Sequence, residues 1–540
     1  MWAMSELQNT KSNRYRKTHQ VELGGTGRKF WHLTWGDLRH ENAGEVSRGR
    51  SSEEVPVMGM EQRAEESRSL NQLRLIGRAE YFETSGCCNC GNYPLGGKSK
   101  SKVDSLRTKS REMQAKINGK RRKKMTEELL MDAMFNWLNL QEAFAAVKRN
   151  KGGAGIDGRS IAETEQHLKR HWDTIEGKLR AGSYIPSPVK AVTIPKPNGG
   201  ERVLGIPTVQ DRVIQQAMQQ ILTIKFDSRF SQFSYGYRPH CSAQDAVKQA
   251  QKFVQQGKDW VVDIDIKAFF DEVNHDILLH QISRKISDRQ VLGLIRTYLK
   301  AGVVKDGKVE RRHKGVPQGS PLSPLLSNIY LDQLDKELEK RELSFCRYAD
   351  DIAIYVSSER SAQRVLDSLT LWIEKHLNLV VNQAKSGTGR PWDSQFLGFR
   401  ITEAHEIGIS PKSVDRYKAK VRELWDARQS KTSHELVEQW RQYIIGWWSY
   451  FKLAGDRRNL LKWEGWTRRH MRKCFWLRWH NKKGRLNAMR RLGATVKQQR
   501  FANRTGGAWG IAKSIVLHKV LGNGTLRRYG LVVPSELSTA

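Results

Sequence analysis

"RYADDIAIYV", residues Arg347 to Val356, sets two adjacent aspartates, Asp350 and Asp351, inside a run that otherwise has the composition of a buried β-strand. Two carboxylates side by side repel each other, and burying them is costly unless a positive group holds them. Aspartate also favours turns, so the pair on its own is equally consistent with the tip of a hairpin. The pair is a candidate site only if other parts of the chain supply the matching chemistry.

A second acidic stretch, "VVDIDIKAFFDEVNH" (residues 261–275), supplies that chemistry. Its alternation predicts a strand with Asp263 and Asp265 on one side, among apolar neighbours. If this strand lies beside the hairpin, Asp265, Asp350 and Asp351 converge and can hold two Mg2+ ions about 4 Å apart. Such ions serve in-line phosphoryl transfer, because one lowers the pKa of an attacking hydroxyl and both neutralise the phosphate charge. We expect Asp263 to be a neighbour rather than a direct ligand.

The composition indicates a polyanionic partner. The 540 residues include 93 Lys and Arg against 57 Asp and Glu, which gives a net charge of +36 and a pI near 10.0. Nucleic acid is the leading partner and an acidic membrane surface the alternative. We find no apolar run of about 18 residues and no apolar signal segment, so we expect no membrane association and a cytoplasmic protein. Six cysteines exclude a disulfide scaffold, and the single CxxC motif at Cys87 to Cys90 lacks the second pair that a zinc site needs.

The chain divides by composition. Residues 1–124 mix Arg, Glu, Ser and Gly with few apolar positions, which predicts a poorly structured basic extension. From Met125 onward helical and strand patterns mix without a regular βαβ alternation, so we predict an α+β fold. A hairpin is expected from Ala191–Ile194 and Arg202–Ile206 around an Asn-Gly turn, and a helix from about Pro324 to Lys340. After Phe399 the pattern becomes helical and more basic, with three predicted helices in residues 412–480.

Several motifs in order resemble the successive palm motifs of reverse transcriptases: "DIDIKAFFD", "GVPQGSPLSPLLSNIYLDQLD", "YADD", "LNLVVNQAKSG" and "FLGFRI". "GGAGIDG", "FSYGYRPHCSAQDAV" and "YIIGWWSYFKL" are similar, more narrowly, to the group II intron-encoded reverse transcriptases and maturases. The likeness runs from about Met125 to the C-terminus. No endonuclease motif with paired CxxC follows, which resembles the endonuclease-lacking bacterial class C members.

The resemblance implies a right-hand polymerase. Residues 125–411 would form fingers and palm with an antiparallel sheet, 412–480 a helical thumb or maturase domain, and 481–540 a small basic domain that binds DNA or RNA. Family members begin near Met125. We therefore hypothesise that residues 1–124 are ribozyme sequence read as protein, which peptides from residues 1–110 of the native protein would refute.

The resemblance also implies roles for individual residues. Asp265, Asp350 and Asp351 match the catalytic metal ligands, and Lys385 a lysine that protonates the departing pyrophosphate. The expected nucleotide contacts are Lys190, Lys196 and Arg202 on the triphosphate, Phe270 under the incoming sugar, and Gln318 and Gly319 beneath the nascent base pair. Core packing of Phe270 and solvent exposure of the lysines are the ordinary alternatives.

In the helical region, the tryptophans and tyrosines are expected to be core rather than base-stacking platforms: Trp440, Tyr443, Trp447, Trp448 and Trp463. The cations expected to contact phosphates are Arg457, Arg458, Arg468, Arg469, Arg472 and Lys473.

These features predict an RNA-dependent DNA polymerase that is also a maturase, which binds its group II intron RNA, assists its splicing and copies it into DNA. Its expected partners are the intron RNA, an RNA template with a DNA primer, target DNA and dNTPs. Two alternatives stay open: an RNA-binding splicing factor with dispensable polymerase activity, and a free-standing reverse transcriptase with another role such as phage defence.

Overall fold

The computed structural model describes residues 128–195, 201–455 and 457–537. The predicted N-terminal extension, the CxxC motif, Lys196 and the Asn-Gly turn lie outside the described residues. None of the described helices is long and apolar enough to cross a membrane.

The first part of the described chain forms a helical layer and a hairpin. Its elements are α1 (Glu128–Phe135), α2 (Trp137–Arg149), α3 (Ile161–Arg180), β1 (Val189–Pro195), β2 (Glu201–Ile206) and α4 (Val209–Phe226). Ser160 and Glu163 form a capping box at the start of α3, which satisfies backbone N–H groups that have no partner within the helix. β1 and β2 pair antiparallel, with Lys190 opposite Ile206 and Ile194 opposite Arg202. The predicted hairpin is confirmed.

The middle part carries a second sheet. Its elements are α5 (Ala243–Gln255), β3 (Trp260–Ile264), α6 (Phe269–Glu272), α7 (His275–Ser283), α8 (Arg289–Lys300), β4 (Val303–Lys305), β5 (Lys308–Glu310), α9 (Ser323–Lys340), β6 (Ser344–Tyr348), β7 (Asp351–Val356), α10 (Glu359–Leu377) and β8 (Gly387–Gly389). The strand order is β6-β7-β3-β8, and every neighbouring pair is antiparallel. β4 and β5 instead extend the hairpin into a four-stranded sheet of order β2-β1-β4-β5.

The alternation of β3 separates its two faces as the sequence predicts. Val262, Ile264 and Ile266 lie in a large core shared by α1, α4, α7, α8, α9 and α10. Val261, on the other face, packs with Tyr355 in a smaller cluster. Asp263 and Asp265 alternate with the large-core residues and therefore share the face of Val261.

The last part is helical except for the short pair β9 (Phe399–Ile401) and β10 (Ile407–Ile409). Three long helices follow, α11 (Pro411–Leu424), α12 (Ser433–Phe451) and α13 (Arg457–Arg478), as predicted. Short helices complete the described chain: α14 (Lys482–Arg491), α15 (Val496–Gln499), α16 (Ala508–Ile511), α17 (Ile515–Val520), α18 (Asn523–Arg528) and α19 (Pro534–Leu537).

The boundary that the sequence suggested between residues 480 and 481 has no counterpart in the packing. One hydrophobic core contains Trp440 and Met471 from the long helices together with Met489, Leu517 and Leu526 from the short ones. The short helices are each too small to bury a core alone, so they share the core of the long helices.

Candidate active site

The aspartate pair lies in a tight turn between β6 and β7. Tyr348 is paired with Asp351, so Ala349 and Asp350 form the connection. Ala349 has a φ of 60°, a left-handed conformation that L-residues with a Cβ adopt only at some energetic cost. A Cβ on Gly236 would lie 2.2 Å from the backbone nitrogen of Ala349, so only glycine allows this close approach. The turn is held by contacts from beneath it.

Arg347 provides one of those contacts. Its guanidinium is fully buried and donates to both carboxylate oxygens of Asp335, at 2.6 and 2.5 Å. It also donates to Asn328 Oδ1 and to the carbonyl oxygen of Ala349, each at 3.0 Å. A buried charge is stable only when paired and hydrogen-bonded, and this pair fixes α9 to the turn.

Four carboxylates influence one another at the end of β3 and the turn. Burial, and then the charges of Asp350, Asp265 and Asp263, raise the pKa of Asp351 to about 7. Burial raises the pKa of Asp350, which the charge of Arg202 opposes. Asp265, Asp350 and Asp351 therefore lie near enough for their charges to act on one another, and their convergence on metal ions stays a prediction.

Among the described residues, no three acidic, histidine or cysteine side chains stand close enough together to hold a metal. Carboxylates of like charge turn apart, and a bound cation reverses that preference. The oxygen donors fit a hard divalent cation such as Mg2+.

Asp263 has the neighbouring position that we expected. Its carboxylate accepts a hydrogen bond from the Ser394 hydroxyl, and burial raises its pKa to about 6. The Asp263 carboxylate is therefore bound to Ser394, and it affects the site through its charge, which raises the pKa of Asp351.

Asp265 is positioned by a segment that follows α10. The Asn382 side chain donates to Asp265 Oδ1 at 3.1 Å, and the Asp265 backbone N–H donates to Ser386 Oγ at 2.9 Å. Lys385 Nζ lies 3.7 Å from Asp265 Oδ2. The structure thus places Lys385 beside the carboxylates. Asn382 and Ser386 were not predicted from the sequence, although both stand in "NQAKSG" (residues 382–387).

The hairpin contributes Arg202 to the same site. Arg202 Nε donates to Gln318 Oε1 at 2.5 Å, and the Gly205 backbone N–H donates to the Gln318 carbonyl oxygen at 2.8 Å. Gly319 has a φ of 114°, and a Cβ there would lie 3.0 Å from the carbonyl oxygen of Gly205. Glycine is therefore required where this loop meets β2.

Lys190 lies on the same face of the hairpin as Arg202, but the two residues are far apart along the strands. Ile194 is opposite Arg202, and four residues of strand separate Ile194 from Lys190 by roughly 13 Å. A substrate group would have to extend along β1 to reach both cations.

Two aromatic residues near the site differ in how well the sequence anticipated them. Phe270 is 2% exposed and lies in the core, with its ring 5.2 Å from the Phe269 ring. This is the core packing that the sequence analysis gave as the alternative to a role under the incoming sugar. Tyr237 was missed. The charges of Asp350, Asp351 and Arg202 all act on its hydroxyl, and its backbone has a left-handed φ of 60°, neither of which the sequence could indicate.

The predicted phosphate contacts in α13 separate into two groups. Arg457 and Arg458 are exposed, and Lys473 and Arg469 are partly exposed. Arg472 is 3% exposed and donates to the Leu521 carbonyl oxygen and to Asn523 Oδ1, each at 2.8 Å. The prediction that Arg472 contacts phosphate is wrong for this arrangement, because its guanidinium is used to hold the short C-terminal helices.

Arg468 has a similar role, since its Nη2 lies 2.8 Å from Glu536 Oε1. The core interpretation of the aromatic residues is confirmed for Trp440, which is fully buried and donates from Nε1 to the Val532 carbonyl oxygen at 2.7 Å. Tyr443, Trp447 and Trp463 pack against the same core.

Two family models match the chain. Residues 194–401 match the model described as "Reverse transcriptase (RNA-dependent DNA polymerase)", and residues 414–493 match "Group II intron, maturase-specific domain". The first range contains the four clustered carboxylates, Lys385 and Arg202, and the second contains most of the three long helices.

The chain is similar to several curated proteins. Protein YkfC of Escherichia coli is 30% identical over 48% of this chain and 80% of its own length. The group II intron-encoded protein LtrA of Lactococcus lactis is 36% identical over 38% of this chain, and the putative COX1/OXI3 intron 1 protein of Saccharomyces cerevisiae is 31% identical over 39%. The chain spans only 34% and 25% of the length of these last two proteins.

Proposed function

The chain belongs to the reverse transcriptases that carry a group II intron maturase-specific domain, and on that premise we propose that it extends a DNA primer along its own intron RNA. We further propose that it binds that RNA, assists its splicing and delivers the copy to target DNA, acting in the cytoplasm. The convergence of Asp265, Asp350 and Asp351 beside Lys385 and Arg202 carries the proposal.

Asp265, Asp350 and Asp351 would hold two Mg2+ ions. When bound, these ions supply a lowered pKa at the primer 3′-hydroxyl and neutralise charge on the phosphates. The protein contributes the arrangement of the ligands. Asn382 and Ser386 fix Asp265, and the buried Arg347 fixes the turn that carries the other two.

The cations serve the triphosphate in this proposal. Arg202, oriented by Gln318, would bind phosphate oxygens of the incoming dNTP, with Lys190 and Lys196 further along the hairpin. Lys385 would donate a proton to the departing pyrophosphate from its position beside Asp265. Phe270 would support the backbone under the sugar, since the Val316 N–H donates to the Phe270 carbonyl oxygen at 2.6 Å. Gln318 and Gly319 would line the floor beneath the new base pair.

Primer extension on an RNA template tests the polymerase activity. We expect Asp350→Ala/Asp351→Ala to lower the extension rate by about a thousandfold or more, because the charge that stabilises the transition state is lost. Asp367→Ala/Glu374→Ala removes the same charge from exposed positions of α10 and is the matched control. Extension that is equal in the two variants would reject the assignment.

A further inference from the structure

A row of rings in contact crosses the helical region, apart from the carboxylate site. The His470 ring lies between the Trp466 ring, at 4.3 Å, and the Trp509 ring, at 4.7 Å. The guanidinium of Arg422 lies 5.4 Å from the centre of the Trp466 ring, and that of Arg469 lies 5.4 Å from the centre of the Trp509 ring. We call these five residues the Arg-Trp-His ladder. It joins α11, α13 and α16.

The ladder concentrates positive charge for which the described residues supply no counter-ion. Burial, and then the charges of Lys473, Arg422 and Arg469, lower the pKa of His470 to about 4. In the described part of the chain these three cations form no ion pair. Asp426, whose carboxylate Lys473 influences, is held by Arg428 at 2.9 Å. Clustered like charges oppose folding, so the cluster indicates an external anion.

The surroundings extend this positive surface. Residues 481–537 contain a single acidic side chain, Glu536, and it is already paired with Arg468 and Arg527. Arg469 Nε is buried without a hydrogen-bond partner in the described chain. A polyanion that approaches the side of the ladder formed by residues 481–537 would meet cations and one carboxylate that is already paired.

The shape of the ladder favours an unpaired strand over a duplex. Arg422 is exposed, and its planar guanidinium lies against the Trp466 ring, with the guanidinium carbon 5.4 Å from the ring centre. Unpaired bases stack on aromatic and guanidinium planes, whereas the bases of a duplex are stacked on one another and inaccessible. The ladder residues on α11 and α13 lie within the range that matches the maturase-specific domain, which points to RNA.

We propose that the Arg-Trp-His ladder binds an unpaired segment of RNA outside the polymerase site, with one base stacked on Arg422 and neighbouring phosphates bound by Arg469 and Lys473. The proposal rests on the proposed function, because it assumes that the chain's RNA partner is the intron.

The proposal is tested by measuring the binding of a 20-nucleotide single-stranded RNA that carries 2-aminopurine. The full chain is used, and its polymerase site is first occupied by a short RNA–DNA hybrid with a one-nucleotide overhang. Arg422→Gln/Arg469→Gln/Lys473→Gln removes three cations. We expect the slope of log Kd against log salt to decrease by about 1.4, because the phosphate contacts of Arg469 and Lys473 are lost and each contact on a single strand contributes about 0.7. The matched control, Arg360→Gln/Arg364→Gln/Lys375→Gln, removes three exposed cations from α10 and should leave the slope within about 0.5 of wild type.

Arg422→Lys separates stacking from charge, because lysine keeps the charge but has no plane. We expect this variant to retain the salt slope and to lose the quenching of 2-aminopurine fluorescence. Equal slopes for the ladder and α10 variants would overturn the proposal. So would an equal loss with duplex RNA or with single-stranded DNA of the same sequence. Primer extension by the wild type is measured separately, so a failure of the polymerase function is distinguishable from a failure of the ladder.

Discussion

Asp351 shows, at the scale of one residue, how a side chain can oppose folding and still be central to the proposed chemistry. Its side chain is exposed at the start of β7, but desolvation of the carboxyl and the charges of three neighbouring carboxylates raise its pKa from 3.8 to about 7. The protonated form is therefore favoured in the folded protein, and ionisation at higher pH introduces repulsion. A divalent cation would remove that repulsion.

The metal-free protein should consequently become less stable as pH rises. A pKa that is raised on folding contributes stability at low pH, and that contribution is lost as pH rises through about 7. In EDTA, we expect the wild-type Tm to fall between about pH 5.5 and pH 8.5, and Asp351→Asn to fall less because its amide does not ionise. Thermal unfolding with and without Mg2+ measures this. Asp367→Asn, on exposed α10, is the control, and the same pH response in both variants would contradict the prediction.

Arg347 is the second case at the scale of one residue, because its buried guanidinium supports the acidic turn. Since both Arg347 and Asp335 are 0% exposed, removing one partner leaves a buried unpaired charge. We expect Arg347→Met to lower the free energy of unfolding by about 3–5 kcal/mol, and Arg347→Met/Asp335→Leu to recover much of the loss. Urea unfolding measures both. A double variant as unstable as the single one would show that the pair is not the source of the loss.

At the scale of elements, the sequence predicted those helices and strands whose formation depends on neighbouring residues. The β1-β2 hairpin, α9 and the three long helices follow from alternation, helical spacing and caps, as with Ser410 and Pro411 at the start of α11. The partnership of Arg472 with Leu521 and Asn523 could not be predicted, because hydrogen bonds between distant residues leave no periodic signal. For the same reason, nothing in the sequence around Arg472 distinguishes it from an ordinary surface cation.

The contact between β2 and the loop at Gln318 should control the affinity for dNTPs. Gln318→Ala removes an acceptor that orients Arg202, so the guanidinium is held less firmly in its position. We expect the KM for dNTP to rise about tenfold with a smaller change in kcat, because one ground-state interaction with the substrate is weakened. Steady-state extension at varied dNTP concentration measures the two constants. Val203→Thr, at an exposed position on the opposite face of β2, is the control, and an equal rise in its KM would refute the role of Gln318.

At the scale of the whole molecule, the cores explain how two activities can share one chain. The largest core supports the hairpin and the carboxylate sheet, whereas a second core joins the three long helices to the short ones. A small cluster, which includes Val247, Phe399, Val414 and Phe451, connects the two parts. The sequence indicated both parts, but the extent of the second core could not be predicted from it, because the short helices carry too few apolar residues each to show a period.

Loss of polymerase activity and loss of splicing should therefore be separable. Asp350→Ala/Asp351→Ala alters only the turn of the carboxylate sheet, so we expect splicing of the cognate intron RNA to persist while extension is lost. Arg472→Met instead breaks the contacts that hold Leu521 and Asn523 to α13, and we expect it to weaken splicing by about tenfold or more, since a buried polar network is left incomplete. In vitro splicing of that RNA with each variant measures the effect. If the palm variant also lost splicing, the carboxylate site would have to take part in RNA folding, and the two cores would not correspond to two activities.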